Sequence, residues 1–320
     1  MALAISAGLT SAAAWAEGTV TVYTAAPQQF VDALVPMFGE QSGTKVEVIK
    51  AGSGELLNRL TAESSKPVAD VIWSVGSTTV DFNLDLFEVY NSVHADAIVP
   101  SLVKSENWLP FTAVVMTFIV NEEKLDGLAV PTSWADLTKP EYDDKISSAR
   151  GDKSGSAYIQ FATVLQAFGS EEAGWDVYKG MLANFVLSDS SGAVPRFVND
   201  GDLPIGVTLE DAALRYKEGG GPVTIVYPSE GTAMVPDAMA MVAGGPNPDA
   251  GKAFLDFILT KDAQEVVASI GRRPVRSDVA SNPALVPITE IPTIDYDFQW
   301  AATNRGCLVE AWGETVLDVQ

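Results

Sequence analysis

The strongest constraint in this sequence is an alternation of short apolar runs with amphipathic segments, which begins at Thr19. Helical spacing of apolar residues predicts helices over Gln28–Ser42 and Gly54–Glu63. The intervening runs predict strands over Thr19–Thr24, Thr44–Ile49 and Val68–Trp73. This β-α-β-α-β order predicts a mostly parallel sheet with helices on both faces. Ligands of such sheets bind beyond the carboxyl ends of the strands, which here are residues 24–26, 51–54 and 74–77.

A second α/β unit is indicated from about Val114 onward. It opens with a strongly apolar predicted strand, Ala113–Val120. Further strands are predicted at Phe185–Ser188, Ile205–Leu209, Val223–Tyr227 and Pro236–Ala243. Gly169–Ala183 is amphipathic, and Pro248–Leu259 is a predicted helix. Three prolines after Ser277 predict a surface loop before a last helix. A length of 320 residues is also typical of two domains.

Charge and rare residues exclude several classes of function. Acidic residues outnumber basic ones 42 to 20, and the net charge of −22 disfavours nucleic acid and anionic membranes as partners. The single cysteine, Cys307, excludes an intramolecular disulfide. The single histidine, His94, excludes His-rich metal sites and most histidine-based catalysis.

The N-terminus has features of an export signal. Met1–Ala13 is small and apolar, and Ala14-Trp15-Ala16 fits the A-x-A cleavage pattern. We therefore expect residues 1–16 to be a signal peptide and the mature chain to be an exported, soluble, periplasmic protein. An N-terminal core helix is the alternative. No later stretch reaches the roughly 18 uncharged apolar residues of a membrane span.

Three stretches carry a family resemblance: Pro131–Leu137 (PTSWADL), Val226–Thr232 (VYPSEGT) and Gly271–Val275 (GRRPV). With the export signal, they resemble the extracellular solute-binding proteins of ABC importers, in the group that binds ferric iron, hexose phosphates or 2-aminoethylphosphonate. The resemblance covers nearly all of residues 19–280.

The resemblance implies the type II periplasmic binding fold, in which two α/β lobes, each a mixed sheet flanked by helices, are hinged by two crossing strands. Lobe one would comprise residues 17–115 plus 231–320, and lobe two residues 116–230. The crossings would fall at Ala113–Val120 and Val223–Tyr227.

The iron-binding members of this group hold Fe(III) with two adjacent tyrosines just after a strand of lobe two. The matching stretch here, Gly206–Ala213, has no tyrosine pair, and Tyr216 stands alone beyond it. This departure disfavours iron. Glu210 and Asp211 could bind a hard cation through oxygen, but they form no specific metal motif. We therefore predict no metal and no cofactor.

Serine–glycine pairs stand where four helices are expected to begin. They are Ser53-Gly54, Gly76-Ser77, Ser154-Gly155-Ser156 and Ser190-Ser191-Gly192. A helix N-terminus offers free N–H groups and partial positive charge to a phosphate. Plain N-capping is the alternative for each pair. We expect a shared anion cradle formed by Thr24, Ser53, Gly54, Ser77, Ser154, Ser156 and Ser191.

Carboxylates are expected at the other end of the ligand. In hexose-phosphate-binding relatives, acidic residues in this region of lobe two bind sugar hydroxyls. The resemblance carries this role to Asp211 and Glu230, with Glu210 as a further candidate, and an amino-phosphonate would use the same groups. A solvated turn charge is the alternative for Glu230. The basic cluster Arg272–Arg276 is expected to pair with nearby acids or with the importer, and a phosphate-binding arginine is the alternative.

The sequence thus predicts a monomeric periplasmic binding protein without catalytic activity. It would clamp a small phosphorylated organic solute, a sugar phosphate or a phosphonate, and deliver it to an ABC permease in the inner membrane. A ferric-iron carrier is the alternative within the family. A secreted phosphatase or lyase is the alternative outside it, but the sequence contains no Walker A, HExxH, CxxC or GxSxG motif.

Export is expected to remove Met1–Ala16, because the A-x-A pattern directly precedes Glu17. Intact-mass measurement of the secreted protein should therefore give a chain that starts at Glu17. A secreted chain that retains Met1 would contradict both the cleavage site and the periplasmic assignment.

Overall fold

The computed structural model describes residues 18–320, and the predicted signal peptide lies outside the described residues. Eleven strands lie in this part of the chain: β1 Thr19–Thr24, β2 Lys45–Lys50, β3 Val71–Gly76, β4 Phe87–Glu88, β5 Leu109–Asn121, β6 Ile146–Ala149, β7 Phe185–Ser188, β8 Ile205–Leu209, β9 Val223–Val226, β10 Met234–Val242 and β11 Arg273–Pro274. The same range holds eleven α-helices: α1 Gln28–Ser42, α2 Ser53–Glu63, α3 Ser77–Asp81, α4 Gly155–Ala167, α5 Glu171–Ala183, α6 Ala193–Asp200, α7 Glu210–Glu218, α8 Pro248–Ile258, α9 Lys261–Ser269, α10 Phe298–Thr303 and α11 Arg305–Val319. Short 3₁₀ segments occupy several of the connections.

Strand β5 changes its partners midway and so divides the molecule into two halves. Up to Val115, which lies opposite Met234, it pairs antiparallel with β10. From Met116, which lies opposite Leu209, it pairs antiparallel with β8. We call the β1–β4, β10 and β11 side, with the start of β5, the first half. The end of β5 with β6–β9 forms the second half.

The sheet order is β2-β1-β3-β10-β5-β8-β6-β7. In the first half β1 pairs parallel with both β2 and β3, as the β-α-β-α-β pattern predicts. In the second half β6 pairs parallel with both β7 and β8. Because parallel strands end at the same edge, each half presents its strand ends, and the helix starts that follow them, along one edge.

Aromatic packing fixes the helices onto the sheet. In the first half, Phe38 of α1 meets Phe254 of α8 at a ring-centroid distance of 5.3 Å. In the second half, Phe161 of α4 meets Tyr178 of α5 at 4.6 Å. Edge-on and tilted ring contacts of this kind stabilise beyond the area they bury. None of the helices within residues 18–320 is long and apolar enough to cross a membrane.

The last helix, α11, packs on the second half. Trp312 is fully buried, and its indole N–H donates to the Tyr178 hydroxyl over 3.0 Å. The Gln320 amide donates to the Leu182 and Phe185 carbonyls. These contacts join the last helix to α5 and β7. Sequence pattern could not show them, because the aromatic partner lies 134 residues away.

Most predicted elements agree with the structure, and β1, α1, β7 and β8 have the predicted bounds. Strand β3 is displaced, since it runs over Val71–Gly76 and not Val68–Trp73. The cause is Asp70, which stands just before it. Its carboxylate accepts from the backbone N–H groups of Thr21 and Asn247 and so joins the loop to two other segments.

Gly174 of α5 packs tightly against α4, because an added Cβ would lie 2.5 Å from the Leu165 backbone. Gly174→Ala should therefore lower the free energy of unfolding by about 1–3 kcal/mol, as overpacking does. Gly313→Ala is the matched control, because nothing lies within 4 Å of its added Cβ, and helix propensity predicts a gain of up to about 1 kcal/mol. Urea unfolding of both variants measures the two effects. A stabilised Gly174→Ala variant would contradict this packing.

Candidate functional site

A cleft of about 660 Å³ lies between the two halves. The first half contributes the residues that follow β1 and β2 and the end of β3. The second half contributes the loop before α4, the loop before α6, and the junction of β8 with α7. The first-half residues belong to the strand ends that the sequence analysis predicted as ligand-binding. Their position fits the rule that open α/β sheets bind ligands beyond the carboxyl ends of their strands.

Helix starts from both halves border this cleft. Gly52 and Gly192 precede α2 and α6, and no side chain within residues 18–320 caps either helix. Ser154 caps α4, where its hydroxyl accepts from the Ala157 N–H. Helix starts carry unpaired N–H groups and partial positive charge, so the cleft suits an anion.

Four of the predicted serines line the cleft: Ser53, Ser154, Ser156 and Ser191. Ser154 and Ser156 are within hydrogen-bond distance of each other, at 3.0 Å between hydroxyl oxygens. The Ser53 hydroxyl accepts from the Gly76 N–H over 3.2 Å. The structure therefore brings hydroxyls from both halves to one site.

Three other predicted residues stand behind the cleft wall and do not line it. The Thr24 hydroxyl donates to the Trp73 carbonyl and accepts from the Ala26 N–H. Gly54 lies against the Asp152 carbonyl, which an added Cβ would approach to 2.9 Å. The Ser77 hydroxyl is buried and has no partner among residues 18–320. Thr24 and Gly54 thus shape the wall by their backbone position.

Glu210 and Asp211 are engaged in ion pairs and do not line the cleft. Asp211 accepts from Arg272 at 2.7 and 3.0 Å, and Glu210 accepts from Arg273 at 2.5 and 3.0 Å. All four side chains are buried. The prediction that the arginine cluster pairs with nearby acids is confirmed, and the pairing occupies the two carboxylates that were expected to contact the ligand.

Glu230 is also engaged elsewhere. Its carboxylate accepts from the backbone N–H groups of Trp134 and Ala135, at 3.0 Å each. It thereby holds the short 3₁₀ segment Ala135–Thr138 and lies outside the cleft lining. Glu230 is therefore not a freely solvated turn charge, because two backbone N–H groups hold its carboxylate.

Three cationic residues line the cleft that the sequence analysis did not select. Lys153 pairs with Asp189 over 2.7 Å. Lys50 and Arg215, from opposite halves, donate to Gln28 and Gln29 at 3.2 and 2.7 Å. No carboxylate of residues 18–320 lies within 4 Å of either cation. Burial lowers the pKa of Lys50; Asp32 opposes this effect, and Arg215 adds to it to a smaller extent. Lys50 directly precedes the selected loop at residues 51–54, and that position was the available signal.

The cleft floor holds Ser74, Asp237 and Arg272. The Ser74 hydroxyl donates to Asp237 over 2.5 Å, and Arg272 lies 3.5 Å from the same oxygen, Oδ2. Ser74 has a φ of 55°, a left-handed conformation that a residue with a Cβ adopts at a cost. Burial raises the pKa of Asp237 from 3.8 to about 6, and Arg272 and Ser74 counteract this only in part. Asp237 is therefore a buried acidic residue at the floor of the cleft, and the sequence analysis did not predict it as a site residue.

The two halves touch beside this floor. An added Cβ on Gly155 would lie 2.8 Å from the Ser53 hydroxyl and 3.0 Å from the Gly76 Cα. Glycine at both backbone positions therefore lets the start of α4 reach the end of β3. The two halves are therefore in direct contact at one side of the cleft.

The tyrosines nearest Gly206–Ala213, the stretch that matches the iron site of the iron-binding members, have other contacts. Tyr227 donates to Glu210 over 2.9 Å, and the Arg215 guanidinium lies over the Tyr216 ring. Neither residue lines the cleft. Within residues 18–320 no group of three or more His, Cys, Asp or Glu side chains is arranged to hold a metal ion.

A fold of two α/β halves joined by crossing chain segments, with a cleft of helix starts between them, defines a two-lobed ligand-binding protein. The family model for bacterial extracellular solute-binding proteins matches residues 66–299, and the chain belongs to this family.

Relatives of known sequence agree with this assignment. An uncharacterized protein of Haemophilus influenzae is 32% identical over 331 residues, which cover 98% of this chain and 95% of that protein. The putative 2-aminoethylphosphonate-binding periplasmic protein of Salmonella typhimurium is 27% identical over 284 residues, which cover 85% of this chain and 83% of that protein.

Among solved structures, the periplasmic binding protein AfuA of Actinobacillus pleuropneumoniae, with fructose-6-phosphate bound, superposes with a TM-score of 0.89 at 27% identity. The match covers 94% of this chain and 99% of AfuA. The predicted class is therefore confirmed. The chain is a periplasmic solute-binding protein of the ABC-importer type, with the two-lobed type II fold.

The raised pKa of Asp237 predicts a pH-dependent stability. The folded chain holds this proton more tightly than the unfolded chain, so the stabilisation is fully present below pH 3.8 and is lost as pH rises through about 6. The loss is on the order of 3 kcal/mol at about 1.4 kcal/mol per pKa unit. In urea unfolding at pH 4 and pH 7, wild type should lose about this much relative to Asp237→Asn. The exposed Asp249→Asn control should follow wild type. Equal pH dependence of wild type and Asp237→Asn would contradict the assignment.

Proposed function

We propose that this protein binds a small organic phosphate or phosphonate in the cleft between its lobes and delivers it to an ABC permease of the inner membrane. It does so as a monomer and without chemical change to the solute. The residues proposed to hold the anionic group are the serines that line the cleft, the adjoining helix starts, Lys50 and Arg215.

The observation that carries this proposal is a set of anion-binding donors gathered in one cleft of an acidic protein. The chain has a net charge of −22, yet the starts of α2, α4 and α6 adjoin one cleft together with two cations that lack a carboxylate partner within residues 18–320. The charge of Arg215 lowers the pKa of Lys50 across the cleft, so an anion that lies between the two cations would stabilise both. A phosphate group with several acceptor oxygens matches N–H, hydroxyl and guanidinium donors together.

We propose lobe boundaries close to those expected from the sequence. Strand β5 changes partners at Val115–Met116, and the chain returns between β9 and β10 at residues 227–233. These two segments would be the hinge. Residues 17–115 and 231 onward would form lobe one and residues 116–230 lobe two, with α11 added to lobe two because it packs on α5.

The cleft supports binding better than catalysis. His94 and Cys307, the side chains most often used as a base or a nucleophile, both lie outside its lining. Three of its serines, Ser53, Ser154 and Ser156, hydrogen-bond to helix starts or to one another. No hydroxyl in the lining has a histidine within hydrogen-bond distance among the described residues, as nucleophilic catalysis by serine commonly needs.

Calorimetry with the mature chain tests the proposal. Ethylphosphonate and fructose 6-phosphate are suitable probes, with fructose as the unphosphorylated control. At least one of the two anionic probes should bind, and fructose should not. Ser154→Ala should weaken that binding by about 0.5–1.5 kcal/mol, the net value of one hydrogen bond. Arg215→Gln should weaken it by about 1.5–3 kcal/mol, because a charged donor is lost.

Arg196→Gln is the matched control, because Arg196 lies on α6 outside the cleft lining and is about half exposed. It should bind as wild type does. If neither ethylphosphonate nor any organic phosphate bound, the proposal would be overturned. A saturable, coloured one-to-one complex with Fe(III)-citrate would also overturn it, in favour of an iron carrier.

A further inference from the structure

The floor of the cleft carries a negative charge that the protein compensates only in part. Arg272 faces two carboxylates, Asp211 and Asp237. It lies 2.7 Å from Asp211 but 3.5 Å from Asp237, so its charge compensates Asp211 more strongly than Asp237. Together the three groups sum to one negative charge when both acids are ionised. Of the two acids, only Asp237 lines the cleft, where its side chain is about one-tenth exposed.

The surroundings of Asp237 supply no second cation. Strand β3 contributes Ser74 and Gly76 beside it, and β5 contributes Thr112 opposite it. Arg272 and Asp211 are the charged groups that act on it most strongly among the described residues. The two side chains that contact its carboxylate both use Oδ2, and the Ala238 backbone N–H is the further donor to it. The carboxylate thus keeps acceptor capacity and lacks positive charge.

We infer that Asp237 is the specificity-determining residue for the far end of the ligand, and that it accepts a hydrogen bond from a protonated amine. This inference rests on the proposed function, in which the helix starts, Lys50 and Arg215 bind the anionic end of the ligand. An ammonium group on Asp237 supplies the positive charge that the floor lacks. A hydroxyl group supplies a hydrogen bond but no charge, so it leaves the floor under-compensated. The favoured ligand is therefore zwitterionic, an amino-phosphonate or an amino-phosphate.

Ser74 explains how the carboxylate is held for this task. Its left-handed backbone and its hydrogen bond to Oδ2 fix one carboxylate oxygen against the strand. The rest of the acceptor capacity of Asp237 remains for a ligand. Strained backbone at a ligand site is a common sign of such positioning. Asp211 and Glu230, the carboxylates expected from the resemblance, have no comparable access to the cleft.

Three matched phosphonates test the inference by calorimetry at pH 7.5. They are 2-aminoethylphosphonate, 2-hydroxyethylphosphonate and ethylphosphonate, which differ only at the end proposed to meet Asp237. Wild type should bind the amine at least tenfold more tightly than ethylphosphonate, and the hydroxyl compound within about threefold of ethylphosphonate. Asp237→Asn should weaken amine binding by about 10- to 100-fold. It should change ethylphosphonate binding by less than about threefold.

Asp211→Asn tests whether the charge deficit at the floor causes the preference. It removes the tighter partner of Arg272 without touching the cleft lining, so the guanidinium charge becomes available to Asp237. The variant should still bind ethylphosphonate but lose most of the preference for the amine. If Asp237→Asn does not fold, the wild-type preference alone decides. Phosphonate binding without preference for the amine, or with preference for the hydroxyl, overturns the inference but not the proposed function. Absence of binding to any phosphonate or phosphate ester overturns both.

Discussion

Two buried ion pairs, Arg272–Asp211 and Arg273–Glu210, hold the halves of this molecule in register. The arginines follow α9 in the first half, and the acids open α7 in the second. Burial raises the pKa of Glu210, and Arg273 and Tyr227 oppose that effect. Loss of one partner of such a pair leaves an unpaired buried charge, which costs about 3–5 kcal/mol. The pairs therefore fix the start of α7, and with it Arg215, against the cleft. They also leave Asp237 with only a share of one guanidinium.

This arrangement separates the local potential of the cleft from the charge of the whole protein. A net charge of −22 repels anions at a distance, but salt screens that field within about 10 Å at 0.1 M ionic strength. Inside the cleft, helix starts and unpaired cations act over a few ångströms in a partly desolvated space, where their effect is larger. The overall charge should therefore slow the arrival of an anion more than it weakens its binding. A zwitterion carries less net charge and meets less of this repulsion.

The sequence predicted the elements well because their signals are local. Apolar spacing fixed α1, and serine–glycine pairs marked the starts of α2, α3, α4 and α6. The chemistry of the carboxylates was not local. The engagement of Glu210 and Asp211 depends on arginines about 60 residues away, and that of Glu230 on N–H groups 95 and 96 residues away. Asp237 did leave a signal, since it is the single charged residue in the otherwise apolar strand β10. A charge in such a strand needs a partner or a ligand.

The glycines at the contact between the halves connect closure to binding. Gly76 and Gly155 approach so closely that a methyl group on Gly155 would meet backbone of the other half. With that contact made, the start of α4 lies directly beside the Ser53 hydroxyl of α2, and both border the cleft. With the halves apart, each would hydrogen-bond to water and offer an anion only a single surface. Binding therefore depends on both sides meeting the solute at once, and a small solute that bridges them favours the closed arrangement by the free energy of the contacts it completes. Glycine at positions 76 and 155 thus allows helix starts from both halves to contact the same solute. The contact between the halves adds to affinity without an additional charged residue.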